Sequence, residues 1–137
     1  MTHSFTSYAW IAALGVGCVV GCGEATDDTP LEVSRDQRIS DLAKAACDRY
    51  ADTAAGCPGY GTDSSQAFAT EADCRQEFAQ RAAELWPVDR CTARRIDDAR
   101  FKACVDRAKT YACSTGLQSV LDAVGAIDQC NADTVCI

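Results

Sequence analysis

Cysteine is the residue type here with the most chemistry to offer: the chain holds 10 in 137 residues. Eight of them lie at Cys47, Cys57, Cys74, Cys91, Cys104, Cys113, Cys130 and Cys136. Thiols can bind metal, exchange electrons or pair. Structural zinc sites are built from cysteines two to four residues apart, commonly with histidine. No two of these eight are that close, and the chain's one histidine, His3, precedes them all. The Cys-x-x-Cys of a redox protein is also missing from this set. An even number of well-spaced cysteines in a small exported domain reads instead as four structural disulfides, with no metal and no cofactor.

Other chemistry is scarce. Histidine is the usual general base near neutral pH, and without it after His3 neither a Ser-His-Asp nor a Cys-His arrangement can be assembled. Asp97-Asp98 is the only adjacent carboxylate pair after Ser34. Neighbours on a helix point about 100 degrees apart, so a solvated face is the simpler reading of that pair. Gly59 and Gly61 sit in a cluster of breakers, without the flanking strand and helix that a phosphate loop needs. No catalytic residue emerges, and the expectation is a protein that is not an enzyme.

A different kind of chemistry is written at Val19-Val20-Gly21-Cys22. Branched, small, then cysteine is the pattern of a bacterial lipobox, in which the cysteine sulfur takes a diacylglycerol and the bond after Gly21 is cut. Two or three acyl chains on Cys22 make a lasting membrane anchor, where one would be marginal. The apolar run ahead of it, Tyr8 to Val20, is short of the roughly 20 residues that span a bilayer, so residues 1–21 read as a removed signal peptide rather than a transmembrane helix. Met1 to Ser7 departs from the usual signal in holding no Lys or Arg. An ordinary secretory signal ending in Gly-Cys is the alternative. Cys18 offers a second cut, but Gly15 stands where a branched residue is expected.

These sites must be carried by something. Residues 22–33, from the lipidated cysteine to the edge of the domain, are acidic, with Glu24, Asp27, Asp28 and Glu32 and no base, and read as a solvated tether. Residues 34–137 read as one domain. Four of the chain's 20 acidic residues are in the tether, leaving 16 against 13 bases in the domain. That balance provides no basic stripe for nucleic acid.

The domain reads as all-α: a small disulfide-stapled helical bundle of two helical hairpins. Ser34-Arg35-Asp36-Gln37 has the form of a capping box. Ile39, Leu42, Ala43, Ala46, Cys47, Tyr50 and Ala54 then give one apolar stripe, predicting a first helix over about residues 35–55 that Gly56 stops. The breaker-rich stretch from Cys57 to Ala69 predicts a loop, with Tyr60 and Phe68 either forming a contact surface or packing back onto the bundle. Thr70 and Asp73 open a second helix with Cys74, Phe78, Ala82, Leu85 and Trp86 inward, ended by Pro87. Thr92 is placed as the cap of a third, with Ile96, Phe101, Cys104, Val105, Ala108, Tyr111 and Ala112 on its buried side. Thr115-Gly116-Leu117-Gln118 starts a fourth, whose inward stripe is Leu117, Val120, Leu121 and Val124 and which Gly125 closes.

Cys47, Cys57 and Cys74 recur as Cys104, Cys113 and Cys130 at nearly constant offset, which suggests either an internal duplication or a chance likeness between Ala-rich helices. If each pair of helices is antiparallel, the end of one lies beside the start of the next. That predicts nested bonds, Cys57–Cys74 inside Cys47–Cys91 and Cys113–Cys130 inside Cys104–Cys136, with Cys47–Cys104 as the competing staple between hairpins.

The order Trp86, Cys91, Phe101-x-x-Cys104-Val105, Cys113, Cys130 and Val135-Cys136, behind the lipobox, resembles a family of small cysteine-rich lipoproteins from myxobacteria. They are labelled natural-product biosynthesis lipoproteins after the gene clusters that encode them. The resemblance covers most of residues 40 to 136. It implies an exported protein, lipid-anchored to the bacterial cell envelope at the periplasmic face or cell surface, and supplies no catalytic position. The expected function is a non-enzymatic interaction or structural module, held to the membrane by the lipid on Cys22 and meeting an unknown protein or small-molecule partner. The alternative is a carrier of an apolar small molecule, which would need an internal cavity rather than a solid core. On this reading the unfolded, non-reduced mature protein shows no thiol at the eight domain cysteines. Labelling of two or more of them by a thiol probe would contradict it.

Overall fold

The computed structural model describes residues 33–137. The expectations for the signal peptide, for Cys22 and Cys18, and for the tether up to Glu32 fall outside the described residues. Within them the fold is all-α: α1 (Arg35–Tyr50), α2 (Glu71–Leu85), α3 (Asp98–Thr110), α4 (Leu117–Asp128) and the single turn α5 (Ala132–Val135). Short 3-10 turns occupy Thr53–Ala55 and Ala93–Arg95. Helix α1 packs most extensively on α2 and next on α3, while α4 lies against α1, α2 and α3.

Local signals set several of these boundaries. The Ser34 hydroxyl accepts from the Gln37 N–H, and Thr70 and Asp73 form a complete capping box at the start of α2. The ring of Pro87 disfavours helical backbone at Trp86, and α2 stops at Leu85. Three predicted boundaries move. Helix α1 ends at Tyr50, not near residue 55: Asp52 caps a separate 3-10 turn, and Gly56 then adopts φ 82, where a side chain would be strained. Helix α3 is capped by Asp97 rather than Thr92, because Ile96 is drawn into an extended pairing with Cys136. That pairing is completed by Asp97 N–H to Val135 O at 3.0 Å and Ile137 N–H to Arg95 O at 2.7 Å. Helix α4 starts from Gly116 without a side-chain cap and runs through Gly125 to Asp128. An interior glycine costs about 0.5–1 kcal/mol relative to alanine, and burial of Ala126 and Ile127 just beyond it offsets that cost.

Trp86, Tyr50, Phe78, Leu42, Ile127 and Val135 are the largest fully buried side chains among the described residues. Around them the filling is small: eight alanines and six cysteines make up most of the 24 buried apolar residues. Small residues along α1 (Ala43, Ala45, Ala46, Cys47) let neighbouring helices approach closely but release little apolar surface each.

The disulfides correct all four predicted pairs. The bonds are Cys47–Cys74, Cys57–Cys113, Cys91–Cys136 and Cys104–Cys130, with Cα–Cα distances of 6.0, 4.9, 5.4 and 5.7 Å. The physical reason is the early end of α1. Because the helix stops at Tyr50, Cys47 rather than Cys57 sits on its last turn, facing Cys74 on the first turn of α2. The 3-10 turn then carries Cys57 past α2 to Cys113, beyond the end of α3. In the second half α4 runs on past Gly125, so Cys130 follows its far end and meets Cys104. Cys91 and Cys136 are brought together by the Ile96–Cys136 pairing. The competing Cys47–Cys104 staple does not form either; two other bonds join the hairpins.

This pairing still treats the two halves alike. The first cysteine of each half bonds the third of the same half, while the second bonds the second and the fourth bonds the fourth across the halves. For closed loops of 26 to 56 residues the chain-entropy model gives about 3.5 to 4 kcal/mol per bond taken singly.

The loop after α1 packs back onto the bundle. Phe68 is buried edge-on against Tyr50 and Phe78, and the Ala67 N–H donates to the Tyr50 hydroxyl at 2.8 Å. Gln66 ties the loop to itself, its side-chain amide donating to the carbonyls of Pro58 and Tyr60. Tyr60 stacks on Tyr50 and donates its hydroxyl to the Cys47 carbonyl at 2.7 Å.

Two measurements check this architecture. Peptide mapping without reduction is expected to recover Cys57 linked to Cys113, and a Cys57–Cys74 peptide would refute it. Burial, with the nearby carboxylates of Glu71 and Asp48, pushes the Tyr60 hydroxyl up to about 12. A pKa raised on folding contributes stability that is fully present below the unfolded value near 10 and is lost as pH rises through the folded value. Ultraviolet titration should therefore show a tyrosine step near pH 12 that Tyr60→Phe removes, and stability should fall across that interval. A Tyr60 step near pH 10 would contradict its burial against the Cys47 carbonyl.

Candidate functional site

The residues singled out for chemistry are not brought together into a reactive centre. Asp97 caps α3, accepting from the Arg100 N–H at 2.9 Å. Asp98 turns to solvent, 86% exposed, and pairs with the Arg38 guanidinium at 2.7 Å. Arg38 is itself buried, bonded to the Ile96 carbonyl and set over the Phe101 ring. The two adjacent carboxylates thus serve a helix cap and an interhelical pair. Trp86, expected on the inward side of the second helix, is wholly buried and donates its indole N–H to the Cys130 carbonyl. All eight cysteines of the domain are consumed in disulfides.

Three surface clefts stand out among the described residues. The largest, about 260 Å³, lies between α1 and α3 and is lined by Asp41, Lys44, Asp48 and Lys109 with Ala45 and Val105. A second of about 230 Å³ sits at Glu71, Ala72 and Arg75, and one of about 70 Å³ at Arg90, Arg95, Cys136 and Ile137. Their charged walls hold ion pairs, Lys44 with Asp48 and Arg75 with Glu71. None is an apolar chamber lined by Leu, Val, Phe and Tyr.

The feature that sequence reasoning misplaced is on α4. Leu117, Val120, Leu121 and Val124 were expected to face inward; instead the buried face is Ser119, Ala123, Ala126 and Ile127. Leu117 is 74% and Leu121 54% exposed, with Val120 and Val124 partly covered. The inward side is already filled by Ser119, Ala123, Ala126 and Ile127, with Trp86 and the Cys104–Cys130 bond beside the end of the helix. Leu117 and Leu121 thus leave an apolar strip of α4 exposed to solvent, bordered by Val120 and Val124, which pack in part against the core. Its rim is polar: Gln118 bonds Asp122 at 3.0 Å, and Arg81 of α2 grips Asp128 with two bonds of 2.8 and 2.9 Å. Hydrogen bonds from Gln118 and Ser114 hold the Asp122 carboxyl below the usual range.

The domain has two ends, each closed by one bond between its halves. At one, the start of α1 meets the end of α2: Arg35 donates to the carbonyls of Trp86 and Ala83, beside Cys91–Cys136. At the other, Gly116 N–H donates to Ser65 O, beside Cys57–Cys113. Leu117 belongs to this second end. Among the described residues no helix is long and apolar enough to cross a membrane.

Neither a curated protein nor a solved structure matches the chain. A family model does, over residues 47–137, a span that takes in all four disulfides and every helix after α1. By that match the chain belongs to a protein family of unknown function, DUF6184.

Proposed function

We propose that this is an exported lipoprotein, anchored to the bacterial cell envelope through acyl chains on Cys22, whose stapled domain is a non-enzymatic interaction or structural module. The observation that carries the reading is the complete pairing of the eight domain cysteines in four bonds. Such a set persists in an oxidising compartment, which agrees with the export implied by the lipobox at Val19–Cys22. The likeness to lipoproteins linked with natural-product biosynthesis points the same way. An interior filled by Trp86, Phe78, Tyr50 and Leu42 favours a solid module over a carrier of an apolar small molecule. The exposed strip on α4, Leu117 and Leu121 foremost, is the surface such a module would offer to a protein partner. Cys22→Ser tests the anchor: the variant is expected to lose acyl label and move from the detergent phase to the aqueous phase. Unchanged partitioning would sink the lipoprotein reading.

A further inference from the structure

The end where α1 begins carries three of the five exposed large apolar side chains among the described residues: Val33 at 44%, Val88 at 67% and Ile137 at 65%. Hydrogen bonds place them together. Val33 precedes Arg35, whose guanidinium spans the carbonyls of Ala83 and Trp86, two residues before Val88. Arg95 reaches both the Asp89 carbonyl and that of Ile137. Three arginines, Arg90, Arg94 and Arg95, are exposed in the same segment. Arg90 pairs with Asp133, and both partners are solvent-exposed; such pairs contribute little and exchange readily.

The chain beyond the described residues leaves from this end. Cys22 lies 11 residues before Val33, a stretch of at most about 40 Å when fully extended, so a lipid there tethers this end nearest the bilayer. Aliphatic tips beside guanidinium groups suit the boundary between headgroups and acyl chains, where Arg donates bidentately to phosphate. We propose that this end seats the domain on the bilayer that holds the Cys22 lipid, with Val33, Val88 and Ile137 entering the headgroup boundary and the three arginines donating to phospholipid phosphates. The inference rests on the anchoring reading above. It directs Leu117, at the opposite end, away from the membrane.

Trp86 reports on the seating, because it is the only tryptophan after Trp10 and lies buried beside Val88. The test is the mature lipidated protein in vesicles of phosphatidylethanolamine and phosphatidylglycerol with brominated acyl chains, which quench only at short range. The expected result is loss of Trp86 emission relative to unbrominated vesicles. Val88→Asp combined with Arg94→Glu should abolish that loss, while Lys109→Glu, at the other end, should leave it intact. Protein that is anchored yet unquenched overturns the seating and spares the anchor. Quenching that survives the double substitution overturns the assignment to this end. Protein that does not partition with the vesicles overturns both readings.

Discussion

The last turn of α1 is the constraint on which the remaining structure depends. Cys47 is bonded there to Cys74, fixing the first turn of α2 against it. The carbonyls of Ala46 and Cys47, one residue apart, receive the hydroxyls of Tyr111 and Tyr60. Tyr50, next on the same face, supports Tyr60 and Phe68 with its ring and Ala67 with its hydroxyl. The end of α3, the long loop and the start of α2 therefore all take their positions from about one helical turn. Burial pushes the Tyr111 hydroxyl well above its ordinary value, as it does that of Tyr60, so both remain protonated donors at physiological pH.

That arrangement relies on small residues, and small residues bring a deficit of hydrophobic stabilisation. Alanine offers a fraction of the area of leucine, at roughly 25 cal/mol per Å², and a domain of this size has little surplus. Cross-links restrict the unfolded chain and so supply stability without needing volume. Their arrangement adds something a set of local staples would not. One bond closes each hairpin on itself and two tie the hairpins together at opposite ends, so neither hairpin can separate or rotate while the bonds persist. A pairing that maps one half onto the other is what a duplicated ancestor would leave, with α4 and α2 since diverged in register against their partners.

How much of this was legible in the sequence depends on the range of the signal. Start signals close to the chain were clear: Ser34 to Gln37 and Thr70 to Asp73 read correctly because a cap is a contact across three residues. So did the inward faces of α1 and α2, where large apolar and small residues alternate with charge. The end of α1 was misread because Ala51 to Ala55 continues an alanine-rich, helix-compatible pattern, while the interaction that stops it, Gly59 N–H to Tyr50 O with Asp52 capping a new turn, uses residues beyond the helix. That five-residue error was enough to mispair Cys47 and Cys57, and the unread continuation of α4 and the Ile96–Cys136 pairing displaced the rest. Asp97 as the cap of α3 was hidden for a similar reason: the extended pairing that selects it involves Cys136, about 40 residues away. The proposed anchor at Cys22 rests on the pattern Val19–Cys22 alone.

Helix α4 was misread for a different reason, and the physics of that error is specific. In α1, α2 and α3 charge marks the outside, so the phase of the helix can be read. In α4 the stripe of Leu117, Val120, Leu121 and Val124 runs directly into that of Ala123, Ala126 and Ile127, so the apolar face is too wide to give the phase of the helix. Packing decides how far the helix turns: Ala123, Ala126 and Ile127 are buried, Val120 and Val124 half-buried, and Leu117 and Leu121 are left outside at a cost in solvent-exposed apolar area. Because Cys57–Cys113 and Cys104–Cys130 fix the segments on either side of α4, the helix cannot roll to hide them. An apolar strip that the fold cannot withdraw is a permanent property of the surface, and a module held at one end by its tether would present that strip from the other.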